Sequence, residues 1–144
     1  MKKYIVYLMM LVVTCRTGAT PMVADELDRV FVYLNSKLVG TWRADGGQVV
    51  HIDKIANGDT ITFRARTDLG GLVNSSIDIK DNLGVPIDNI QSPSSTESEA
   101  IFVYIVHLNK IDTAKVMSLQ VSLNVDPARN LPPPVIASIS VIKK

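Results

Sequence analysis

The segment VMSLQVSLNV, residues 116–125, alternates apolar and polar residues along most of its length. Met117, Leu119, Val121, Leu123 and Val125 fall on one side of an extended chain, and Ser118, Gln120, Ser122 and Asn124 on the other. That period of two is what a strand buried on one face requires. Similar short apolar or alternating runs predict strands near 39–45, 48–55, 59–67, 73–80, 84–90, 99–109, 114–125 and 134–142. Turn residues separate them: Asp45-Gly46-Gly47, Asn57-Gly58, Gly70-Gly71, Asn82-Leu83-Gly84, a serine-rich 92–98, Asn109 to Thr113 and Asp126 to Pro134. Asn57-Gly58 predicts a tight hairpin, because both residues accept positive φ.

Eight strands joined mostly by short connections predict an all-β domain at residues 39–144. The expected architecture is an eight-stranded antiparallel up-and-down barrel, whose closure removes exposed strand edges. A two-sheet β-sandwich is the alternative, favoured by the long connections at 91–98 and 126–134. Ahead of the strands, DELDRVFVYLNSKL predicts one amphipathic helix within a segment at 20–38. Leu27, Val30, Phe31, Leu34 and Leu38 form a stripe at helical spacing, and Asp25, Glu26 and Asp28 suit the dipole of a first turn.

The run EAIFVYIVHL is apolar on both faces, with Ile101, Val103 and Ile105 on one and Phe102, Tyr104 and Val106 on the other. A barrel strand needs only one apolar face, so the second calls for a cover. The N-terminal helix is the expected one, and a homo-oligomer interface through the 99–109 strand is the alternative.

Residues 1–19 read as a secretory signal peptide. Lys2 and Lys3 precede ten apolar residues, Tyr4 to Val13, and small residues follow at Thr17-Gly18-Ala19. Ten residues fall short of the roughly 20 that a membrane-spanning helix needs. Export to a bacterial periplasm or the extracellular space is expected, with cleavage before Thr20. The alternative exit is a lipoprotein anchored at Cys15, the only cysteine. Removing Lys2, Lys3 and Arg16 from fifteen basic residues leaves twelve against fourteen acidic ones, a net charge of −2. Beyond the terminal Lys143-Lys144 pair no basic run remains, so nucleic acid is not an expected partner.

Gly40-Thr41-Trp42 at the opening of the strand series resembles the calycin superfamily, which includes the lipocalins and avidins. The avidin-like layout is the nearer one: GTWRADGG, QVVHIDKI, NG and DTITFRART follow in the same order. That resemblance implies a barrel with Trp42 at one end. It does not imply a biotin site, because the family's binding asparagine and serine fall on Ala44 and Gln48. The tyrosine and serine of its third strand fall on Arg64 and Arg66, and the later pocket tryptophans are absent.

Arg64 and Arg66 alternate with Ile61, Phe63 and Ala65, so one set points in and the other out. Burying the apolar set leaves the arginines at the surface, whereas the avidin-like register aims them at a cavity suited to an anion. Trp42 is expected first as core and second as a ligand wall. His51 and His107 lie on separate strands without metal-ligand spacing, and no nucleophile or phosphate-loop motif is present. No enzyme activity, metal or cofactor is expected.

The expected function is that of an exported small-ligand-binding barrel for an apolar or amphipathic molecule, with Trp42, Arg64 and Arg66 as candidate ligand residues. An aromatic content of 6% argues against a pocket walled by rings. The alternative is a protein-binding module, such as a secreted inhibitor or envelope interaction protein. It would have a packed core and a contact patch near 91–98 or Leu131-Pro132-Pro133-Pro134.

Overall fold

The computed structural model describes residues 29–68, 70–113, 115–125 and 132–141. The leader, Cys15, residues 20–28 and Leu131 lie outside them. Ten strands follow in order: β1 Arg29–Leu34, β2 Lys37–Arg43, β3 Val50–Ile52, β4 Thr60–Arg66, β5 Ser76–Asp81, β6 Pro86–Gln91, β7 Ser94–Ser95, β8 Glu99–Ile105, β9 Ser118–Asn124 and β10 Val135–Ser140. They form two five-stranded sheets, the first in the order β2-β1-β4-β8-β7 and the second in the order β3-β10-β9-β5-β6.

The all-β class holds, but the helix and the closed barrel do not. Arg29–Leu34 is a strand, and a two-residue turn at Asn35-Ser36 returns it to β2. Val30 and Leu34 satisfy a helical and an extended period alike. Val32 decides between them, because it is fully buried while Phe31 lies half-buried on the opposite face. Asn35 and Ser36 have φ of 49° and 69°, the left-handed pair that a tight hairpin demands. Asn35 also holds the hairpin to the start of β4. Its Oδ1 accepts the Thr60 N–H at 2.9 Å, and its Nδ2 donates to Asp59 Oδ1 at 2.9 Å.

The barrel fails to close because the chain changes sheet repeatedly and because β3 pairs with β10 in parallel. Asn57-Gly58 is therefore a crossover between sheets rather than a hairpin. Gly58, at φ +87°, donates its N–H to the Val106 carbonyl, and Asn57 Oδ1 accepts the Leu108 N–H at 3.0 Å. The edge strands β2 and β3 approach through side chains instead of a hydrogen-bond ladder. A Cβ built on Gly40 would stand 2.6 Å from Val50 Cγ1, so only glycine lets the two edges come this near.

The inner faces pack one core. Ile61, Phe63 and Phe102 come from the first sheet, Ile79, Leu119 and Ile139 from the second, and all are fully buried. Phe63 and Phe102 are direct cross-strand partners, as are Val32 and Phe63. In β9 the alternation is as read, except at Met117. It precedes the strand and is 71% exposed, because its N–H is drawn into a bond with Asn82 Oδ1 at the β5–β6 turn. Asp81 is buried at that same turn because its Oδ1 accepts the Leu83 and Val85 N–H groups, both at 2.8 Å.

Trp42 belongs to this core. It is 9% exposed and pairs with Val30 across β1–β2. Replacing it with alanine should cost about 3–5 kcal/mol. Urea unfolding of the parent and Trp42→Ala checks this, and unchanged stability would contradict a packing role.

Candidate functional site

Because strands alternate, burying Ile61, Phe63 and Ala65 turns Thr62, Arg64 and Arg66 outward. The register of the first sheet then sets three cross-strand rows on its outer face. Arg43, Arg29, Arg66 and Glu99 make the first row. Thr41, Phe31, Arg64 and Ile101 make the second, and Leu38, Tyr33, Thr62 and Val103 the third. The charge therefore gathers towards one end of the face, and apolar and aromatic side chains with Thr41 and Thr62 occupy the rest. Leu38 is 51% exposed, Val103 42% and Ile105 49%, and Val39 is exposed at the adjacent bulge.

The outer face of the second sheet is different in kind. Ser138, Gln120 and Lys80 share one row there, and Ser122, Asp78 and Asn89 another. Its side chains bond among themselves: Asn89 Nδ2 donates to Asp78 Oδ1 at 2.5 Å, and Ser140 Oγ to Asp53 Oδ1 at 3.0 Å. An open groove of about 430 Å³ lies along the β5–β6 hairpin, lined by Asp78, Lys80, Ile87 and Asp88 among others.

On the first sheet, Glu99 holds two arginines with one oxygen. Its Oε1 accepts from Arg64 Nε at 2.5 Å and from Arg66 Nε at 2.9 Å. These bonds, Arg64 first, lower the Glu99 carboxyl from 4.5 to about 2. The Arg64 guanidinium is raised by the same contact, with a smaller contribution from neighbouring Tyr33. Arg43 grips Asp45 with two bonds, Nε to Oδ1 at 3.0 Å and Nη2 to Oδ2 at 2.7 Å, and the Asp45 carboxyl is lowered as a result. Arg29 has no ion-pair partner among the described residues.

The candidate ligand residues are thus divided. Trp42 points into the core, while Arg64 and Arg66 lie on the opposite side of the same sheet, so the three do not line one cavity. The apolar flank of β8 found no helical cover among the described residues, since the segment read as that helix supplies β1 and β2. Phe31, Tyr33, Leu38 and Arg29 were missed as surface residues for the same reason, and Arg43, read within a strand, was not singled out; reading 29–34 as a strand would have put the first two on one face. His51 is exposed and His107 half-buried, and among the described residues no group of three or more His, Cys, Asp or Glu could hold a metal ion. No described helix is long and apolar enough to cross a membrane.

Compared with protein-family models, curated proteins and solved structures, the chain matches none.

Glu99 sets a pH dependence whose sign follows from its lowered carboxyl. Its stabilisation is complete above the ordinary value of 4.5 and is lost as pH falls towards about 2. The Glu99 carboxyl carbon should titrate near 2 by NMR, and Arg64→Gln should move it back towards 4.5. A parent titration near 4.5 would show that the arginine pair does not hold it in solution.

Proposed function

We propose that this chain is an exported, non-enzymatic protein-binding module: a packed β-sandwich that offers the outer face of its first sheet to a protein partner. One observation carries the reading. Phe31, Tyr33, Leu38, Val103 and Ile105 gather on that face beside four arginines, while the opposite face of the sandwich is serine-, asparagine- and glutamine-rich. Exposed apolar side chains grouped on one face and rimmed by charge are the usual mark of an interaction surface. Aromatic and arginine side chains are also the residues that most often dominate binding energy.

The fully buried side chains filling the space between the sheets support a packed core. Export rests on the pattern of residues 1–19. Kinship with the calycins would rest on Gly40-Thr41-Trp42 and the early strand layout alone, and it adds no ligand site to this reading. The exposed Val103 and Ile105 of β8 favour a second reading, a homo-oligomer formed through that strand.

Immobilised parent and a Val103→Glu/Ile105→Glu variant, exposed to an envelope extract of the host, test the proposal. At least one protein held by the parent should fall about tenfold or more on the variant, the scale of a lost hot spot. Thermal unfolding should first show the variant folded, since both positions are on the surface. Equal retention on the two, or none on the parent, would sink the reading.

A further inference from the structure

We infer that the first-sheet face takes a partner surface that is itself divided, with carboxylates at one end and an apolar stretch at the other. This rests on the protein-binding reading above and names the chemistry of the partner.

The argument is one of charge and placement. Four arginines, Arg29, Arg43, Arg64 and Arg66, share the cationic end with two carboxylates, Glu99 and Asp45. Asp45 is bonded by Arg43, and the charge of Arg29 lowers its carboxyl further. Glu99 is divided between Arg64 and Arg66, each engaged through Nε on the same oxygen. That leaves the terminal nitrogens of Arg66 without a partner, and Arg29 without an ion pair, among the described residues. Asp68 and Glu97 lie on the connections beyond the ends of β4 and before β8, not in the rows of the face.

Among the described side chains of these rows and their ion pairs, four arginines stand against two carboxylates, an excess of two positive charges, with planar guanidinium donors in one cross-strand row. A carboxylate meets such donors with short, charge-assisted bonds. From Arg66 to Thr62 the strand runs about 13 Å at the usual rise per residue, and there the face has become Leu38, Tyr33 and Val103. An acidic block adjoining an apolar block matches both ends at once. A second copy of the same face is disfavoured, because an isologous contact brings like surfaces together and adds to the excess positive charge.

Fluorescence anisotropy with three synthetic peptides tests this. Each carries a valine–leucine block joined to a block of glutamate, glutamine or lysine. The glutamate peptide should bind at least about tenfold tighter than the glutamine one, with the lysine peptide weakest. The preference should shrink as salt rises. Arg29→Gln, which breaks no ion pair among the described residues, should reduce the preference, and Arg64→Gln/Arg66→Gln should abolish it. Equal binding of the glutamate and glutamine peptides, or binding of none, overturns the inference. So does a dimer in sedimentation equilibrium that Val103→Glu dissociates, or retention by phosphatidylglycerol vesicles in place of the glutamate peptide. The broader protein-binding reading stands or falls separately, with the capture experiment on Val103→Glu/Ile105→Glu.

Discussion

The burial of Ile61, Phe63 and Ala65 governs both sides of the first sheet. β4 lies at the centre of that sheet and pairs along its whole length with β1 on one side and β8 on the other. Phe63 therefore meets Val32 and Phe102 as direct neighbours within the core. A slip of one residue would send the arginines inward and the aromatic ring out. Burying two guanidiniums without partners would cost far more than the surface contact with Glu99 returns. The core thus fixes the register, and the register fixes which side chains reach the outer surface.

Leaving the barrel open creates four edges, β2 and β7 on one sheet and β3 and β6 on the other. An unpaired edge invites association, and each is handled differently here. β7 is only two residues long and β3 only three. β6 begins at Pro86, which has no N–H to offer, and places Asp88 opposite the buried Ile79. Burial raises the Tyr104 phenol, and the charge of Asp88 raises it further, so this carboxylate stands close to the core rim. β2 is the longest of the four, a seven-residue edge that begins at Lys37, ends at Arg43 and meets β3 at Gly40, with Leu38 and Val39 exposed along it.

The alternating segments could be read because period two has few competitors where polar residues separate the apolar ones. β9 is the clearest case, and β4 follows it. Residues 29–38 were ambiguous because Val30 and Leu34 fit a helix and a strand equally; only the tertiary burial of Val32 separates the two. The Asn57-Gly58 pair announced a tight turn but could not say that its flanking strands belong to different sheets. The apolar outer flank of β8 was visible in the sequence, whereas what it faces was not. Glu99 escaped notice as a site residue because it lies 35 and 33 positions from the arginines it binds. Pairing across that distance comes from the β4–β8 register, which no local pattern encodes.

The contrast between the two outer faces is what favours the first sheet as the proposed binding surface. On the second sheet, Asn89 bonds to Asp78 and Ser140 to Asp53, so these side chains already satisfy one another. Little would be gained by removing that face from water. On the first sheet the apolar side chains gain directly from being covered, at roughly 25 cal/mol per Å². The arginines behave differently, because covering them without anions would strip hydration from charges that Glu99 and Asp45 together do not balance. Hydrophobic gain alone would accept many occupants. On the proposed reading the guanidiniums would disfavour those that bring no negative charge, with affinity arising at one end of the face and selectivity at the other.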